Sequence, residues 1–180
     1  MLRITIPETE FYDEVNEVFI NVKEQTLQLE HSLVSISKWE AKWQKPFLDE
    51  KEKTVEETID YIRCMTITQN VDPDIYNCLT AENVKEIDDY ISAPMTATVF
   101  SEDNSSRRNR EVVTAEIIYY WMIKAGIPVK FEKWHLNRLI TLIRVCSIKE
   151  APPKKRSKRD ILSQNAAINA ARRKQLNTRG

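Results

Sequence analysis

Glycine is almost missing: Gly126 and Gly180 are the only two in 180 residues. A phosphate-cradling loop, a dinucleotide fingerprint and a Gly-x-Ser-x-Gly nucleophile elbow each need glycine at fixed places, where a Cβ would block a close approach or a tight turn. A P-loop NTPase or a Rossmann enzyme is excluded on that ground. Cysteine is scarce as well, and Cys64, Cys78 and Cys146 are odd in number and widely spaced within apolar helical patterns. That predicts reduced, buried thiols rather than a disulfide framework. The two histidines, His31 and His135, have neither a cysteine nor a second histidine at ligand spacing, so no metal and no cofactor are expected. Long apolar runs are also lacking. The longest, residues 115–123 and 139–146, stop far short of the ~20 residues a membrane-spanning helix requires. The first residues reach Glu8 and Glu10 without an apolar region and do not read as a signal peptide.

What is present is enough hydrophobic residue, 42%, to build one core of ordinary size, with a segment appended. The charges balance at 27 basic and 27 acidic residues, but they are not mixed evenly. Residues 151–180 hold nine basic residues (Lys154, Lys155, Arg156, Lys158, Arg159, Arg172, Arg173, Lys174 and Arg179) against Asp160 alone, a net charge of +8. The first 150 residues therefore carry −8. Two parts are expected: a globular domain over residues 1–150 and a basic C-terminal arm over 151–180, with Pro152 and Pro153 marking the boundary.

The periodicity along the globular part changes once. Leu2, Ile4 and Ile6, then Val18, Ile20 and Val22, then Leu27 and Leu29 alternate with polar or outward positions, the period of half-buried strands. With a turn at residues 13–16 and Pro7 ending the first strand, residues 1–30 read as a small antiparallel β meander. From Ser32 the period becomes helical, and residues 31–150 read as a helical bundle. Leu33, Ile36, Trp39 and Trp43 mark a first helix closed by Pro46, and Thr54 with Glu57 forms a capping box before a second over about 55–66. Pro73 opens a short helix and Thr80 another, which Pro94 stops. Residues 101–110 are polar and unpatterned, a loop. Residues 114–126 are apolar around most of the circumference and are expected at the centre of the core, and a last helix covers about 134–147. The fold class is thus α+β and mainly α, ending in an arm that is disordered or loosely helical until it meets a partner.

No constellation of these residues points to catalysis, and the chain is not expected to be an enzyme. Glu56 with Asp60, and Asp88 with Asp89, are explained by the helix macrodipole and by solvated helix faces. His135 beside Trp134 reads as a satisfied, partly buried imidazole. Trp39 and Trp43, one helical turn apart, are core packing or else an exposed aromatic anchor for a partner. In the arm, Ile161, Leu162, Ile168 and Leu176 are the apolar positions among the basic ones. Such an arm can neutralise phosphates, capture an acidic or helical protein, or dock on the acidic body of another copy. It contains no aromatic residue and no reading motif, so specific nucleic-acid recognition is unsupported.

The run Leu29-Glu-His-Ser-Leu-Val-Ser-Ile-Ser-Lys-Trp-Glu-Ala-Lys-Trp43, followed by Lys45-Pro-Phe-Leu48, resembles the tail assembly chaperones of long-tailed phages and related prophages. Residues 58–65, 94–98, 115–122 and 134–139 and the Pro152-Pro-Lys-Lys-Arg156 tail are similar too, so the likeness spans nearly the whole chain. The resemblance implies a non-enzymatic protein of the host cytoplasm, absent from the finished virion. It would bind the tape measure protein and keep it soluble while tail tube protein assembles around it. A structural component such as a head-tail joining protein is the alternative, and a nucleic-acid-binding accessory protein a weaker one.

Overall fold

The computed structural model describes residues 1–13, 17–100, 112–151 and 158–176. Of the turn expected at 13–16, Asp13 ends a strand and the rest lies outside the described residues, as does the loop expected at 101–110. The fold is mixed α+β and mainly helical. It divides into two compact units, Met1–Ile148 and Lys149–Gly180.

The N-terminal residues form four short strands, β1 (Leu2–Ile6), β2 (Thr9–Asp13), β3 (Val18–Val22) and β4 (Gln25–Leu29). They do not make a meander. β1 pairs with β4 and β2 with β3, both antiparallel, so the inner pair is nested within the outer one. Leu2 stands opposite Leu29 and Thr9 opposite Val22, which is one unbroken offset. The arrangement is a single hairpin ribbon interrupted at Pro7–Glu8 and Lys23–Glu24. Proline cannot donate to a ladder, which accounts for the break on the first strand. Burial changes parity across it. Ile4, Ile6, Leu27 and Leu29 are buried on one side of the break and Val22 on the other. A continuous pleat would put Val22 and Leu27, five residues apart, on opposite faces.

Six α-helices follow among the described residues: α1 (Leu33–Trp43), α2 (Val55–Met65), α3 (Ala81–Ser92), α4 (Ala115–Lys124), α5 (Leu136–Glu150) and α6 (Lys158–Leu176). Short 3-10 helices cover Pro73–Cys78 and Val129–Lys133. The first three α-helices begin with reciprocal capping boxes, Ser32 with Ser35, Thr54 with Glu57 and Thr80 with Asn83. Each satisfies two backbone donors that a helix start leaves open. α1 ends where Gln44 takes a left-handed conformation, two residues before Pro46.

The core sits where the ribbon base meets α1, α2, α4 and the start of α5. Leu33, Ile36 and Trp39 from α1, Ile62 and Met65 from α2, Ile118 and Met122 from α4, and Leu136 and Leu139 from α5 are all buried there. After α2 the chain runs beside β4, with Glu30 N donating to Met65 O at 2.9 Å and Ile67 N to Gln28 O at 2.8 Å. α3 covers the outer edge of β1, where Asn83 Nδ2 donates to the Thr5 carbonyl.

α4 is not the all-round buried helix that its composition suggests. Ala115, Ile118 and Met122 form one buried stripe, while Tyr120 and Ile123 stand exposed. Its Thr114 makes no side-chain cap; instead Glu40, on α1, reaches across the core. One oxygen of Glu40 accepts from Ala115 N at 2.8 Å and the other from Phe47 N at 2.7 Å. A single buried carboxylate thereby starts α4 and fixes the turn after α1.

Candidate partner-binding site

The arm expected to meet a partner is a helix over Lys158–Leu176. From Leu162 onward every side chain of it is exposed, Leu162 at 68% and Leu176 at 72% among them, with Ile168, Arg172, Arg173 and Lys174 alongside. Lys154, Lys155 and Arg156 lie outside the described residues. Lys158, Arg159 and Ile161 belong to the α6 backbone, but their side chains are likewise outside what is described. An exposed helix of this kind has little to hold it when alone. Leu162, Ile168 and Leu176 are unburied, so it depends on local propensity, which Ala166, Ala167, Ala170 and Ala171 improve.

The two tryptophans have different fates. Trp39 is core: it is buried, its Nε1 donates to the Glu57 carbonyl at 2.8 Å, and it packs edge-on against Phe47. It is not an anchor that a partner could reach. Trp43 is half-buried, stacks on Trp39 with centroids 6.2 Å apart and donates to Asp60 Oδ2 at 2.9 Å. Asp60 also accepts from Lys42, so it is a buried, paired group and not part of a solvated acidic face. Burial pushes the Asp60 carboxyl up, but the hydrogen bonds from Lys42 and Trp43 outweigh it and hold it below the usual carboxylate range. Lys45, hydrogen-bonded to Glu57, lowers that carboxyl too. Glu56, Asp88 and Asp89 stand exposed on their helices.

No protein-family model, curated protein or solved structure matches the chain. What it can bind has to be argued from its own surfaces.

One polar cluster escaped the sequence reading. His31 and His135 are both buried, with ring centroids 5.1 Å apart, where the end of β4 meets the start of α5. Leu136 N donates to the His31 carbonyl at 2.8 Å, and Ser32 bridges to His135. The Tyr61 hydroxyl and His31 Nδ1 share a hydrogen bond at 2.5 Å. His135 caps α5: its Nδ1 accepts from Asn137 N, and its Nε2 donates to the Tyr90 carbonyl at 3.0 Å. Those two bonds together specify the neutral imidazole, since a second ring proton would face the Asn137 N–H. Burial, and then the neighbouring His135, lower the His31 pKa to about 4. Burial also lowers that of His135, against the pull of the Tyr90 carbonyl and Glu30. The pair is a structural joint between elements far apart in the chain; the Ser32 and Ser35 hydroxyls beside it are engaged in capping α1, and burial holds the Tyr61 phenol proton more tightly.

Burial raises the half-buried thiols of Cys64 and Cys78, which keeps them protonated and unreactive. Among the described residues no group of three or more His, Cys, Asp or Glu is placed to hold a metal ion, and no helix is long and apolar enough to cross a membrane. An open cleft of about 340 Å³ lies beside Ser35, Lys38, Cys64 and Lys133. A smaller one, about 180 Å³, is lined by Trp39, Lys45, Lys53 and Glu57.

Proposed function

We propose that the chain is a non-enzymatic binding protein that captures a helical, aggregation-prone partner through its C-terminal arm, as a phage tail assembly chaperone holds a tape measure protein soluble. The observation that carries this reading is α6, a helix with Leu162, Ile168 and Leu176 unburied among Arg172, Arg173 and Lys174. Apolar groups held in water on a marginal helix gain most when a partner covers them, and the neighbouring cations speed encounter with an acidic one. Ordering the arm on binding costs part of the interaction energy, which keeps the contact reversible, as a transient chaperone needs. The sequence likeness to tail assembly chaperones supplies the identity of the partner.

Co-expression with the tape measure protein encoded nearby tests it. The soluble yield of that protein should rise severalfold and the two should co-purify. Replacing Leu162, Ile168 and Leu176 by serine should weaken capture about tenfold or more, since each buried leucine contributes on the order of 1.5–3 kcal/mol. The same variant should melt at the parent temperature, because these side chains are exposed. Undiminished capture by the triple variant would remove the arm from the mechanism, and an unchanged soluble yield would remove the chaperone reading.

A further inference from the structure

A second exposed apolar surface lies on the outer hairpin. Tyr12 and Phe19 stand directly opposite each other across β2 and β3, with ring centroids 5.0 Å apart, and they are 48% and 72% exposed. Two large rings left in water at opposed positions make one apolar spot rather than two scattered ones. Its surroundings are acidic. Residues 8–24 contain six carboxylates and a single cation, Lys23. Glu8, Glu10, Glu17 and Glu24 are exposed, and none of the ion pairs among the described residues involves them.

α6 has the complementary composition. At about 100° per residue, Leu162, Ile168, Leu176, Arg172 and Arg173 fall within roughly 140° of one another, so these apolar and cationic groups share a face, with Lys174 outside it. A plain apolar groove would leave those guanidinium groups without partners, and a phosphate backbone would leave the leucines uncovered. A surface that fits must present carboxylates around an apolar centre, as the hairpin does. The opposite net charges of the first 150 residues and of the arm add long-range attraction between copies.

We propose that α6 of one copy docks on the Tyr12–Phe19 hairpin of a second copy, the two arms being exchanged reciprocally so that the pair closes. The contact uses the face of α6 assigned above to partner capture, so a second copy and the partner compete for it. Arms exchanged between copies would be covered until the partner displaces them. The proposal itself requires no third protein, and its test is independent of whether the chaperone reading holds.

Sedimentation equilibrium of the full chain alone provides that test. At about 0.05 M salt the chain should show a concentration-dependent dimer, and the dissociation constant should rise at least about tenfold by 0.5 M as the exposed charges are screened. Tyr12→Thr with Phe19→Thr, and separately Arg172→Glu with Arg173→Glu, should each leave a monomer. Threonine keeps the strand propensity of the hairpin, and matching circular dichroism melts would show that both variants fold as the parent does. Mixing the two variants is the sharper experiment. The intact arm of one meets the intact hairpin of the other, so a heterodimer should return, held by one contact in place of two and so weaker than the parent pair. A parent that stays monomeric at about 100 μM in low salt, a dimer that survives either double substitution, or a mixture that forms no heterodimer would each overturn the proposal.

Discussion

Glu40→Gln should destabilise the first unit by about 2–4 kcal/mol, in spite of leaving the shape of the side chain unchanged. Both oxygens of Glu40 accept a backbone N–H, from Phe47 at 2.7 Å and from Ala115 at 2.8 Å. A glutamine has one oxygen to offer, so its amide NH₂ would point at whichever N–H it does not serve, donor against donor. The bond lost is to a charged acceptor, worth about 1.5–3 kcal/mol, and leaving its donor orphaned in the interior carries the total to about 2–4 kcal/mol. Ala115 N opens α4, and Thr114 makes no cap of its own, so nothing local replaces the loss. The measurement is the denaturant midpoint of the full chain. A loss under about 1 kcal/mol would mean that one carbonyl serves both donors and that the carboxylate is not what starts α4.

Acidification should remove about 3 kcal/mol of stability between pH 6.5 and 4, most of it above the range in which ordinary carboxylates are half-titrated. His31 has its pKa lowered from 6.5 to about 4, by burial first and by His135 second. A histidine whose folded pKa is depressed stabilises the native state fully above 6.5. Below that value the unfolded chain takes up the proton and the folded chain does not, and the advantage declines until the folded group titrates near 4. The groups facing His31 are Tyr61 from α2 and His135, which precedes α5 and holds the Tyr90 carbonyl of α3, with Glu30 beside them. His135 adds to the effect in the same direction, its own pKa being lowered too. Glu57 and Asp60 act mostly lower, overlapping the end of the His31 window: their pKa values are depressed, so what they contribute is present above the ordinary carboxylate range and lost as the pH falls through it and below. Denaturant unfolding at stepped pH, with the His31 ring followed by NMR, checks this. A ring that titrates near 6.5 in the folded protein would refute it.

Local chemistry was legible in the sequence and distant pairing was not. The starts of α2 and α3 follow from Thr54 with Glu57 and from Thr80, because a capping box lies within four residues. The helical period from Ser32 onward, the stops near Pro46 and Pro94 and the mainly helical class follow in the same way. The strand order did not. Alternation marks Leu2, Ile4 and Ile6 as a strand, yet whether it pairs with the next strand or the last is decided by closure of the whole ribbon. β2, Thr-Glu-Phe-Tyr-Asp, was missed because its residues do not alternate between apolar and polar. The face of α4 that stays exposed could not be chosen from composition, since Tyr120 and Ile123 are as apolar as the stripe that is covered. At the candidate site, the basic and apolar positions of α6 could be read directly. Trp39 was resolved toward the core only by its Glu57 partner, and the His31–His135 joint depends on a bridge that no spacing rule anticipates.

The interruption of the ribbon at Pro7–Glu8 and Lys23–Glu24 also bears on how the protein can evolve. Because the buried parity changes there, the row that the outer hairpin shows to water is set by the number of residues in the break and not by the residues of the hairpin itself. Loss of one codon from each strand at the break would turn Tyr12 and Phe19 inward and bring the row of Ile20 and Val22 out, while β1 and β4 kept their register. A lineage could thus exchange one recognition surface for another in two small deletions, with the core beneath left as it was.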